Sequence, residues 1–116
     1  VGIGNYIQAY PKYAASGWQL VLGHAHDYYL NAAAETGLVG LAAYLALVAG
    51  AFRQLGLSLR SAPAGVWYGV ALGLLGSFTA LSIHNLVDNM YVHGIPVLVG
   101  LLLASAAVIP SFRKDG

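Results

Sequence analysis

Seven side chains capable of proton or metal chemistry gather in two short stretches of this sequence. His24, His26, Asp27 and Glu35 lie in the first, and His84, Asp88 and His93 in the second. Imidazole, with an unperturbed pKa of about 6.5, exchanges protons near neutral pH, so the histidines, His26 beside Asp27 among them, are candidates for acid–base chemistry. The same nitrogens and oxygens suit zinc. However, His-x-His-Asp is not a sharp zinc pattern, the His-Glu-x-x-His signature is missing, and a site would need both stretches to converge, so no metal is expected. Plainer roles compete at each position. Asp27 can cap a helix, His24 can decorate a surface, and Glu35, His84 and Asp88 can either satisfy one another between helices or shape an active site.

These groups stand in an otherwise apolar chain. Of 116 residues, 59% are hydrophobic and 8% charged, against roughly 25% charged in soluble domains. Ionisable groups next to lipid are costly, which makes function the default suspicion for those present. Runs without charge cover 36–52, 61–87 and 89–112, each near or above the roughly 17 to 25 residues that cross a ~30 Å hydrocarbon core. The expected fold is therefore an all-α membrane protein, since lipid-exposed backbone must bond internally and the weak alternation of a barrel is absent. Three spans are expected at about 29–52, 62–84 and 92–110, preceded by an external surface arm over 1–26.

The few cations orient these spans. Arg53 and Arg60 bound an expected loop over 53–60, and Arg113 and Lys114 follow the third span, so both clusters belong on the cytoplasmic side. The arm and a second turn over 84–93 then face outward with all four histidines, and Lys12 is the one outward cation. Net charge is only +1 and no basic patch suggests nucleic acid. Without cysteine there is neither a disulfide framework nor a thiolate site. The chain begins at Val1 without a start methionine or a cleavage signal, and is read as the C-terminal part of a larger multi-pass bundle.

Other features speak to packing. Gly2, Gly4, Pro11 and Gly17 punctuate the arm and allow only short turns such as 6–10. Tyr6, Tyr10, Tyr13, Trp18, Tyr28, Tyr29 and Tyr91 sit in outward segments, where such rings form an aromatic belt or stack on sugars or a prenyl chain. Gly65, Gly69 and Gly73, at four-residue spacing with Gly76 nearby, make a stripe that lets another helix approach closely. Ser61 and Pro63 fit the cap and first turn of the second span. Gly94 and Pro96 either start the third span or kink it. On a helix begun at Asp27, Asn31 and Glu35 share a face, as do His84 with Asp88 and Asn85 with Asn89.

Three segments carry a resemblance: Gly2-Ile3-Gly4-Asn5-Tyr6, Ala25-His26-Asp27-Tyr28-Tyr29-Leu30, and Ala34-Glu35-Thr36-Gly37-Leu38-Val39-Gly40. Together they resemble the C-terminal part of the O-antigen ligase and polymerase family, bacterial multi-pass inner-membrane glycosyltransferases. The family pattern is a histidine, a small polar residue, nine residues, then Gly-x-x-Gly, which falls on His26, Gly37 and Gly40. Asp27 departs from it, standing where Asn, Ser or Gln is usual. The resemblance implies metal-independent transfer, without a cofactor, of a glycan from a polyprenyl-diphosphate carrier to the hydroxyl of a glycan or lipid acceptor on the periplasmic face. His26 would act as base, oriented by Asp27 or Glu35. The essential arginines of the family lie upstream of these residues, so this stretch alone is expected to be inactive. A bicarbonate-type transporter related by sequence is the alternative.

Overall fold

The structure is a computed structural model that describes residues 1–15, 26–91 and 94–113. His24, His93, Trp18 and Lys114 lie outside the described residues. Within them every regular element is helical. Helix α1 (Tyr6–Ala9) runs into a 3-10 turn at Tyr10–Lys12, and then come α2 (Tyr28–Ser61), α3 (Val66–His84) and α4 (Ile95–Val108), the last continued by a 3-10 turn at Ile109–Arg113. Three helices are long and apolar enough to cross a membrane. Large apolar side chains on them point outward, Leu72 and Leu101 among them, as lipid contact requires.

Helix α2 is two helices. Gly37 takes φ 73° and ψ −175°, a region essentially closed to residues with a side chain. A continuous helix would separate Tyr28 from Tyr44 by about 24 Å, yet their ring centroids are 5.0 Å apart. The chain therefore folds back at Gly37, bringing the 28–36 segment alongside the start of the 38–61 segment. Gly40 has its own reason to be glycine, because a Cβ there would collide with the Thr36 side chain. The break also strips helical donors from the Ala34 and Glu35 carbonyls. The arm replaces them, with the Val1 nitrogen donating to Ala34 O at 2.7 Å and Gly2 N to Glu35 O at 3.0 Å.

Several expected boundaries move. Residues 53–60, expected as a loop, are helical and carry Arg53 and Arg60 on α2 itself. Helix-favouring residues such as Leu, Gln and Arg dominate that stretch, and its inward positions pack. The first membrane helix accordingly runs from Leu38 past residue 52 to Ser61. Ser61 ends α2 rather than capping α3, because Ala62 precedes Pro63 and is held extended (ψ 135°). Gly65 at φ 92° then leads into Val66 without a side-chain cap. At the other turn, Gly94 adopts the left-handed conformation (φ 89°) and Pro96 sits in the first turn of α4, where its missing N–H costs nothing.

The core is a small seam where three helices meet. Ala51 and Leu55 of α2, Phe78 of α3, and Val99 and Ala106 of α4 are buried together, with Phe52 edge-on to Phe78 at 5.0 Å. Ser58, also buried, donates to Ala106 O at 2.5 Å. That carbonyl needs the help, since its normal helical donor would be the nitrogen of Pro110, which carries no hydrogen. Gly69 and Gly73, by contrast, are exposed, and a Cβ on either of them or on Gly65 would touch nothing. The stripe faces away from the other helices described here, because the large Phe78 and the small Ala71 already face that seam.

Candidate functional site

The site is built at the end of α3. Asn85 stops the helix, its N–H bonded to Leu81 O at 3.0 Å, and it is wholly buried. Its carbonyl accepts from Tyr28 N at 2.9 Å and its Oδ1 from Met90 N at 3.0 Å. One asparagine thus ties the start of α2 to the turn after α3. Its Nδ2 has no hydrogen-bond partner among the described residues. Short polar side chains shape the rest of the turn: Asp88 Oδ1 accepts from Asn89 N at 2.7 Å, and Asn89 Oδ1 from Tyr91 N at 3.1 Å. Asp88 N also bonds back to His84 O at 3.0 Å, adding one more helical turn.

This clamp brings the two polar stretches together. His26 Nδ1 lies 3.5 Å from Asp88 Oδ1, both side chains being about half exposed. Asp88 thus faces the imidazole, where Asp27 or Glu35 was the expected orienting group. Asp27 serves as the cap of α2, its Oδ1 accepting from Leu30 N at 3.0 Å, a common task for aspartate before a helix. Glu35 sits near the Gly37 fold, nine residues along the chain from His26, and lends its backbone carbonyl to the arm. The His84 side chain is exposed while its carbonyl holds the turn. Asn31 is buried and Glu35 only partly so. Among the described residues no three His, Asp or Glu side chains come together as a metal group would.

Beneath the pair lies a tyrosine cluster. Tyr28 stacks at a tilt on Tyr91 (4.6 Å), and Tyr44 meets Tyr28, Tyr29 and Tyr91 edge-on at 5.0, 5.5 and 6.1 Å. Edge-to-face packing of this kind contributes beyond simple burial. Tyr29 OH donates to Ser82 O at 3.0 Å and Tyr44 OH reaches Tyr91 OH at 3.4 Å. Sequence reasoning assigned Tyr28, Tyr29 and Tyr91 to an outward belt, set Asn85 with Asn89 on a polar face where the structure buries Asn85 instead, and passed over Tyr44. Nothing in a linear reading puts Tyr44 beside Tyr28 until the fold at Gly37 is known. In the arm, Tyr6, Tyr10 and Tyr13 line an open cleft of about 250 Å³ with Val1, Ala9 and Ala34.

No family model, curated protein or solved structure matches the chain.

Proposed function

We propose that this chain is the C-terminal part of a multi-pass glycosyltransferase of the O-antigen ligase or polymerase kind, working at the outer face of a bacterial inner membrane. The observation that carries the reading is the facing of His26 and Asp88 at 3.5 Å. They come from segments at opposite ends of α2 and α3, and they meet at the end of the bundle where the Gly37–Gly40 fold also lies. Arg60 and Arg113, which fall toward the other end of the bundle, support an orientation with the histidines outside.

The chemistry suited to this arrangement is acceptor activation. With the Asp88 carboxylate facing Nδ1 at 3.5 Å, the tautomer that carries its hydrogen on Nδ1 is favoured and Nε2 is the nitrogen that takes a proton, the arrangement familiar from carboxylate–histidine catalysis. Nε2 removes the proton of an acceptor hydroxyl as its oxygen bonds to the anomeric carbon of the donor glycan. The carbon–oxygen bond to the polyprenyl diphosphate breaks from the opposite face, and the diphosphate leaves with the electron pair. The configuration inverts. Such a base contributes about 10²- to 10⁴-fold to rate. Charge stabilisation of the leaving diphosphate falls to cations outside these residues, because Lys12 is the only outward cation here.

In the full-length protein, His26→Ala should lower glycan transfer by about two to four orders of magnitude with insertion and abundance unchanged. Asp88→Asn should have a smaller effect, as expected for an orienting partner. Transfer is read from carrier-linked and acceptor-linked glycan in membranes. Undiminished transfer by His26→Ala removes the reading, and loss of bicarbonate uptake in its place would favour the transporter.

A further inference from the structure

The position of Arg53 is the feature that neither the fold nor the proposed chemistry uses. It lies between the buried core residues Ala51 and Leu55 but on the opposite, exposed side of α2. Its neighbour Phe52 packs on Phe78 of α3, and Ala51 and Leu55 share the core with Val99 and Ala106 of α4. Arg53 is thus level with the middle of both partner helices. Eight helical residues, about 12 Å, separate it from Ser61, farther than an arginine side chain extends. Toward the other end, about 13 Å of helix separates it from Tyr44 and the polar turn. A hydrocarbon layer of ~30 Å laid on these helices encloses the guanidinium from either side.

A lone guanidinium at that depth is expensive, and arginines there face protein or a water-filled cavity rather than lipid. No ion pair to Arg53 exists among the described residues. Toward Tyr44 the same face is small, with Ala46, Ala49 and Gly50 exposed, and a Cβ on Gly50 or Gly56 would touch nothing; Leu57, one turn on, is the large exposed side chain beside them. Small residues of this kind let a second helix backbone come close.

We propose that this face of α2 is the seat of a further membrane-spanning helix bearing an aspartate or glutamate at mid-depth, which pairs with Arg53. A second copy of this segment does not fit, because its described acids lie away from mid-depth, Asp27 and Asp88 beyond the ends of α2 and α3 and Glu35 beside the break at Gly37. Lipid phosphate does not fit either, being confined to the surface that Arg53 does not reach. Guanidinium and carboxylate make paired hydrogen bonds that satisfy both charges in an apolar setting.

The test uses the full-length protein in its membrane, with a photo-crosslinking residue at position 49 and a control at Leu72 on the outward side of α3. The position-49 probe should capture a transmembrane peptide carrying an acid within an apolar run, while the control captures lipid. Reversing that acid to lysine should restore the assembly lost in Arg53→Asp. Arg53→Met, which keeps length without charge, should lower the thermal midpoint of the purified protein by several degrees, because it strands the buried carboxylate. Capture of lipid alone, of a second copy, or of a helix without an acid overturns the proposal. So does a raised midpoint for Arg53→Met, the result expected of a charge with no partner.

Discussion

Asn85 shows how one side chain can set a site without touching a substrate. It holds Met90 N through Oδ1 and Tyr28 N through its carbonyl, and so fixes the two strands of chain that present His26 and Asp88. Asn85→Ala leaves the carbonyl bond but orphans Met90 N, and it should cost about 1–3 kcal/mol, read as a lowered unfolding midpoint in detergent. Ser58→Ala removes the donor that Pro110 cannot supply to Ala106 O, and should cost about 0.6 kcal/mol, the average for polar contacts between membrane helices. At this scale the sequence was informative about types and weak about partners. His26 and Asp88 stood out because ionisable groups are rare in such a chain, but the expected orienting partner was Asp27 or Glu35. Contact across the turn follows from the clamp at Asn85, which has no local signature.

At the scale of elements, the three apolar helices were legible because hydropathy and length alone determine them. The fold within α2 was not, since Gly37 interrupts an apolar run that reads as continuous. The glycines at 37 and 40 have separate duties that can be told apart. Gly37→Ala should cost about 1–3 kcal/mol through its backbone conformation alone, whatever occupies position 36. Gly40→Ala should be destabilising chiefly through Thr36, so Thr36→Gly in the same chain should recover much of the loss. A double-mutant cycle on unfolding in detergent measures that coupling. The supposed loop over 53–60 failed for a related reason. Two arginines resemble a boundary in a hydropathy trace, yet helix propensity and the inward residues Leu55 and Ser58 carry the helix through them.

At the scale of the whole molecule, the three helices share a thin seam and leave much of their surface apolar. The tyrosine cluster closes one end, and at the other Trp67 stacks on Phe112 at 4.0 Å. Because the chain turns back at Gly37, that glycine crowns a promontory about 10 Å above the depth of Tyr44. An epitope spliced beside it would sit at the exposed tip of the fold, at the end of the first membrane helix. On the proposed orientation, antibody applied to intact spheroplasts should then bind it, whereas in an uninterrupted 34-residue rod the tip would be Tyr28, about 14 Å farther along, and the same epitope would lie on the flank of the helix.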